Sequence, residues 1–253
     1  MVELRDLSLA YRLPHKTDIA ALDHINAKFG EGKFSVIIGP SGCGKTSLIR
    51  IMAGLQKPTR GQALLHGNPV NKPVKTTALI FQDYGLLPWK TVRENAELPL
   101  LFNKNHDPEK RCHVQELLSK FGLGGFLKCY PQQLSGGMKQ RLAIVRALVT
   151  EPELILMDEP FSSLDAITRE EAQDYFLTVR NELKATIIMV SHSIDEAVFL
   201  GDLVYVMKGR NPGTFCECIP IMRDGSHAQF RDTPRFSEYC TVLRKMLKPE
   251  TAS

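Results

Sequence analysis

The chain has 253 residues, 43% hydrophobic and 24% charged, with a formal net charge of +4. That composition is ordinary for a soluble globular protein able to bury a sizeable core. No run of Lys and Arg is dense enough to point to nucleic acid, and no apolar run approaches the ~20 residues of a membrane span. The charged N-terminal stretch MVELRDLSLAYR lacks the apolar centre of a signal peptide. Work at a membrane therefore requires another chain to supply the membrane part. The six cysteines (Cys43, Cys112, Cys129, Cys216, Cys218 and Cys240) complete no zinc spacing and suit a reduced, cytosolic protein.

In chain order, residues 2–11 and 33–38 read as strands, with a hairpin connection and part of another strand in LPHKTDIAALDHI between them. The second strand runs into GPSGCGKT, which matches G-x-x-x-x-G-K-[ST] at Gly39, Gly44, Lys45 and Thr46. A triphosphate needs several donors converging on its oxygens, and backbone N–H groups converge only where glycines let the chain curl. The segment Gly39, Pro40, Ser41, Gly42, Cys43, Gly44, Lys45, Thr46 and Ser47 can form such a cradle. Its lysine reaches the β and γ oxygens, its Thr46 can ligate Mg²⁺, and the positive end of the next helix faces the anion. Cys43 reads as a small filler, not as a nucleophile.

The helix TSLIRIMAG is closed by Gly54. A strand in GQALLHGNPV ends at the turn Gly67-Asn68-Pro69, and TTALIFQD gives another. Residues 86–150 read as helical. One helix there has Asp107 as N-cap, Pro108 at N1 and Gly122 past its end, with Val114, Leu117, Leu118 and Phe121 on one face. A second starts from Ser135, with Met138, Leu142, Val145 and Leu148 inward. ELILMDEP is an apolar strand ending in two acids. Alone, Asp158 and Glu159 could be surface groups. Beside a phosphate loop they read as a Mg²⁺ ligand and a general base for an attacking water. His192 ends the strand TIIMVSH. It is a structural histidine by default and a γ-phosphate contact in this company. A helix over about 168–184 separates those strands. Val204–Met207 and Phe215–Ile219 form a hairpin around Asn211-Pro212-Gly213. A last capped helix carries Tyr239, Val242, Leu243 and Met246 on one face. Alternating strands and helices predict an α/β core with a mainly parallel sheet.

The segment YPQQLSGGMKQRLAIVRAL holds LSGGMKQR, which resembles the signature of ABC-transporter ATP-binding subunits. Its physics is legible: Ser135 caps a helix, and Gly136 and Gly137 leave bare backbone at the positive end. This is a second phosphate site in a chain with one phosphate loop. In the family, the signature (here Leu134, Ser135, Gly136, Gly137 and Met138) completes the ATP site of the opposite subunit. The resemblance implies further roles. Tyr11 would stack on adenine, and Gln82 would ligate Mg²⁺ and face the membrane subunit. Ser163 and Asp165 of SSLD would line the dimer interface, and His192 would be the switch histidine.

FQDYGLLPWKTVRENAELPL and LDAITRE are similar to the importers for nitrate, sulfonate and taurine. Leu87 and Trp89 would then line the groove that receives a permease helix; a Trp in the protein's own core fits the residues equally. Ser193 stands where that group has aspartate, and nothing after 220 matches the group. That tail reads as a packing helix.

The resemblance implies a single ABC ATP-binding domain over 1–253 with a P-loop NTPase (RecA-like) core at about 1–85 and 151–220. It adds an N-terminal antiparallel β part, a helical subdomain at 86–150 and a helical tail at 221–253. The expected activity is ATP hydrolysis with Mg²⁺, driving uptake of a small nitrate-, sulfonate- or taurine-like solute. The expected partners are a second ATP-binding subunit, most simply an identical copy, integral membrane permease subunits and an extracytoplasmic solute-binding protein. No nucleic acid is expected. The place would be peripheral, on the cytoplasmic face of the membrane. The alternative is a soluble ABC-type ATPase not tied to transport, although such proteins carry two ATPase halves or a long coiled coil.

Overall fold

The computed structural model describes residues 2–12, 18–102, 108–180, 184–209, 212–223 and 227–248. The chain divides into two compact units, one built from residues 1–74 with 181–253 and the other from 75–180.

In the first unit, β1 (Val2–Tyr11) pairs antiparallel with both β2 (Ile19–Phe29) and β4 (Arg60–Leu65). β4 turns back into the short β5 (Asn68–Pro69) through His66 and Gly67. Both turn residues have positive φ (48° and 79°), the geometry a two-residue hairpin turn demands and the reason glycine sits there. β3 (Phe34–Ile38) lies between parallel neighbours, β8 (Thr186–Ser191) and β9 (Leu203–Lys208). All five β3 residues are buried, as expected of FSVII in a parallel sheet covered on both faces. β10 (Thr214–Pro220) closes this sheet antiparallel to β9, with an irregular register between Phe215 and Glu217. Of the expected turn between them, Asn211 lies outside the described residues.

Helices complete this unit. α1 (Lys45–Met52) buries Leu48, Ile49, Ile51 and Met52. α6 (Ile194–Leu200) is buried at every position from Glu196 to Leu200 and packs on β3 and α8 (Pro234–Leu247). Thr233 caps α8, its hydroxyl accepting from the Phe236 N–H at 3.2 Å. The buried face of α8 departs from the expected one, because Cys240 and Leu243 are fully buried while Val242 is 41% exposed. Cysteine is among the most buried residue types, and counting it as apolar turns the stripe by about one residue. The tail is bolted onto α6. Arg223 donates to the carbonyls of Val198 (3.1 Å) and Gly201 and pairs with Asp202 at 3.5 Å. The Arg231 guanidinium lies 3.7 Å from the centroid of the Phe199 ring.

In the second unit, β6 (Thr77–Ile80) and β7 (Leu154–Asp158) run parallel. Helix α2 (Val92–Phe102) opens with a capping box, TVRE, that the sequence reading passed over. The Glu94 carboxylate accepts from the Thr91 N–H and hydroxyl, both at 2.8 Å, which holds its pKa below the usual range. α3 (Pro108–Lys120) ends, as expected, at Gly122 with φ 68° and buries Val114 and Leu118. The expected cap Asp107 lies outside the described residues.

α4 (Gly136–Leu148) is buried far more widely than a one-face stripe. Gly137, Gln140, Ala143, Ile144 and Ala147 are buried along with Leu142, Val145 and Leu148, while Met138 is only half-buried. Elements packed on several sides bury the positions an amphipathic reading sends to solvent. α5 begins two residues before the expected start and is described over Ala166–Arg180. In the first unit, α7 (His227–Phe230) precedes α8. No helix among the described residues is long and apolar enough to cross a membrane.

Candidate functional site

The first unit presents the phosphate loop between β3 and α1. Gly44, at φ 92°, caps α1 without any side-chain acceptor, leaving the helix-start N–H groups to another acceptor. A Cβ on Gly44 would lie 2.6 Å from Leu22 Cδ2 and 2.9 Å from Ala21 O, so only glycine fits. Lys45 is 7% exposed; its ammonium donates to the carbonyls of Gly39 (2.8 Å) and Pro40 (3.1 Å). Cys43 is fully buried, and burial pushes its thiol pKa up, which makes it a poor nucleophile. Tyr11 is 39% exposed, and its hydroxyl shares a 2.9 Å hydrogen bond with Ser47 and donates to Gln56 at 3.2 Å. The structure thus brings Tyr11 and Ser47 together at the start of α1.

The loop rests on a residue that the sequence reading saw only as a turn. Gly213 is so close to Cys43 that a Cβ there would sit 1.9 Å from the Cys43 carbonyl oxygen. Its N–H donates to Ala21 O (3.0 Å) and its carbonyl accepts from the Asp23 N–H (3.1 Å).

His192 is exposed at the end of β8. The next residue, Ser193, is the N-cap of α6, accepting from the Glu196 N–H at 3.3 Å. Its own N–H donates to Ser191 Oγ at 3.0 Å, and Ser191 donates to the Glu196 carboxylate at 2.5 Å. Ser and Asp cap helices about equally well, so the substitution leaves the turn behind His192 its cap.

In the second unit, Asp158 ends the buried β7 and is itself 8% exposed. Glu159 follows at φ 47°, a left-handed conformation that costs a non-glycine residue roughly 1–3 kcal/mol and clusters at functional sites. The turn is held by Ser162, whose N–H (3.2 Å) and hydroxyl (2.8 Å) both donate to the Glu159 carbonyl. Asp165 caps α5 by accepting from the Thr168 N–H at 3.1 Å; Thr168 holds its carboxyl below the usual range.

Ser135 caps α4 as expected, accepting from the Met138 N–H at 3.3 Å. Side chains of the following segment lie close over both signature glycines. A Cβ on Gly136 would lie 2.9 Å from Leu164 Cδ2, and one on Gly137 would lie 3.0 Å from Thr168 Cγ2.

Gln82 is exposed, and Trp89 is 69% exposed, which removes the core alternative for that ring. The turn that presents it is stapled from below by Asn95. This fully buried side chain accepts from the Leu87 N–H (2.8 Å) and donates to the carbonyls of Leu87, Lys90 and Thr91 at 2.9–3.1 Å. Leu87 itself is half-buried.

One further side chain went unread. Gln140, in the signature helix, is completely buried, and neither its Nε2 nor its Oε1 has a hydrogen-bond partner among the described residues. An unmet buried amide costs about 1–3 kcal/mol, whereas an apolar group of similar shape does not. Gln140→Met is expected to raise the Tm, by about 2–4 °C per kcal/mol for a chain of this size. Thermal unfolding of the two proteins checks it, and a lower Tm in the variant refutes it.

The ABC transporter family model matches residues 22–162, more than half of the chain. The taurine import ATP-binding protein TauB of Pelagibacter ubique is 38% identical over 92% of this chain and 89% of that protein. The nitrate import ATP-binding protein NrtD of Synechococcus elongatus is 40% identical over 87% and 82%. The aliphatic sulfonates import ATP-binding protein SsuB of Bacillus subtilis is 41% identical over 85% and 82%. Among solved structures, a dimeric ATP-binding cassette in a post-hydrolysis state bound to ADP and Pi superposes with a TM-score of 0.75. It is 32% identical and covers 88% of this chain and 100% of that one. These likenesses agree with the P-loop NTPase fold and its mainly parallel sheet. The chain belongs to the ABC transporter family and is an ATP-binding subunit that hydrolyses ATP.

Proposed function

We propose that two copies of this chain drive uptake of a small nitrate-, sulfonate- or taurine-like solute through separate membrane permease subunits. A solute-binding protein would supply substrate from outside, and the chain would sit peripherally on the cytoplasmic face. The observation that carries the reading is the capped Ser135-Gly136-Gly137 turn. It is a phosphate-binding helix start in a chain that already has its own phosphate loop, so a second chain is the natural source of its nucleotide. The import relatives named above and the dimeric cassette support the pairing and the direction.

In this reading residues 39–47 hold the β and γ phosphates, Lys45 leaving its carbonyl partners for the anion, and Tyr11 meets the base. Glu159 takes the proton of the attacking water, and His192 orients that water against the γ-phosphate. Thr46, Gln82 and Asp158 offer hydroxyl, amide and carboxylate oxygens, a donor set that suits Mg²⁺. When bound, Mg²⁺ would neutralise negative charge on the phosphates. Ser163 and Asp165 line the interface between copies. ATP favours the closed pair, and hydrolysis releases it.

Trp89 and Leu87 form the permease contact. The test is uptake into vesicles carrying the permease pair and the solute-binding protein, with labelled taurine, nitrate and an alkanesulfonate offered in turn. ATP-dependent accumulation of one of them is expected. Trp89→Ala should abolish attachment to the vesicles without slowing ATP turnover by the free chain. Attachment that survives the substitution would remove Trp89 from the contact.

A further inference from the structure

We infer that the Tyr84–Ser163 hydrogen bond is a strut through which the permease-facing loop sets the position of the loop facing the second subunit. The inference rests on the proposed reading of those two loops. Tyr84 is 7% exposed and its hydroxyl lies 2.6 Å from Ser163 Oγ. It holds this pose at φ 64°, a conformation that a tyrosine keeps only where its surroundings over-determine it.

The over-determination is visible. Arg146, from the signature helix, donates to the carbonyls of Tyr84 (2.5 Å) and Gly85 (2.6 Å). Such charge-assisted bonds are the strong ones. They pin the chain two residues after Gln82 and leave the phenol one place to go. At the other end, Arg169 holds the Ser163 loop by the carbonyls of Phe161 (3.2 Å) and Leu164 (2.6 Å). Leu164 in turn lies over Gly136, its Cδ2 2.9 Å from where a Cβ would stand. A shift of Tyr84 is therefore felt at Ser163 and, through Leu164, at the signature turn. A buried phenol needs a hydrogen-bond partner in any case; what matters for coupling is that this one lies on a different loop, at Ser163 Oγ. Here a side chain–side chain bond joins two loops that the proposed cycle moves together. Tyr84 and Ser163 are positioning residues, because neither touches the reacting atoms.

The test uses the Glu159→Gln chain, whose ATP-dependent dimer is followed by light scattering. Tyr84→Phe and Ser163→Ala should each weaken that dimer about tenfold, the upper worth of one hydrogen bond. The double variant should be no weaker than either single one, and Ser163→Thr, which keeps a hydroxyl, should restore the dimer. ATP affinity of the monomer should not move. Dimers as tight as the parent's, or additive losses, overturn the strut.

If the Glu159→Gln chain stays monomeric with ATP, the pairing reading fails, and the sole tryptophan then decides the strut separately. Trp89 lies in the Tyr84 loop, and the chain has one Trp. An ATP-induced change in its emission that disappears in Tyr84→Phe and in Ser163→Ala supports the strut. A change that persists in them, or no change in the parent, overturns it.

Discussion

Replacing Glu159 by Gln is expected to slow ATP hydrolysis by about 10²–10⁴, the range for losing a positioned general base. ATP binding should be unchanged. The amide matches the carboxylate in shape but cannot accept the proton of the attacking water. The backbone gives no reason for the side chain to move, since the φ of 47° is held by the two Ser162 bonds to the Glu159 carbonyl. The loss should fall on kcat and kcat/KM alike, as for an interaction made only in the transition state. Phosphate release measures the rate, and equilibrium binding of a fluorescent ATP analogue measures the affinity. Because hydrolysis is what reopens the pair in the proposed cycle, the variant should also accumulate as an ATP-bound dimer. Turnover at the parental rate would take the general base away from Glu159.

The local geometry of the candidate site was largely legible in the sequence because it is set by short-range contacts. A phosphate loop is nine successive residues whose pattern stands in one stretch of sequence, although Gly39 and Gly44 are also hemmed in by Met207, Ala21 and Leu22. The cap at Ser135 is a contact three residues away. Hairpin turns and the Thr233 cap are local in the same sense. What stayed hidden depends on distant partners. Nothing near Asn95 announces that its amide closes the turn carrying Trp89, although the adjacent TVRE capping box could have placed the helix start. Nothing near Arg146 announces its hold on Tyr84 and Gly85. The α8 stripe went astray by one residue because Cys240 was not counted as apolar. Trp89 was undecided between core and surface because hydrophobicity alone does not say which large side chain a protein reserves for a partner.

Gly213 is the sharpest case of a distant requirement, and its substitution carries the second large effect. Its φ is not in the left-handed region, so backbone freedom does not explain the glycine; space does. The nearest atoms to an added Cβ are Cys43 O at 1.9 Å and Cys43 C at 2.8 Å, two residues before Lys45. Real Cβ atoms do not approach so closely, and one of the two backbones has to yield. Gly213 is clamped on both sides by its bonds to Ala21 and Asp23, so the phosphate loop is the part that moves. A displacement of about 1 Å in positioning groups costs about 10²-fold in a positioned reaction. Gly213→Ala is therefore expected to lower kcat/KM for ATP by about that factor, with weaker ATP binding. Overpacking should also cost about 1–3 kcal/mol of stability.

Gly125→Ala supplies the contrast, because nothing lies within 4 Å of a Cβ there. It should leave ATP affinity unchanged. Titration of a fluorescent ATP analogue into both variants, with thermal unfolding alongside, separates the effects. If Gly213→Ala binds ATP like the parent and loses only stability, the loop absorbs the methyl group without re-aiming its N–H donors. Its geometry would then depend on its own glycines and not on the distant backbone beneath it.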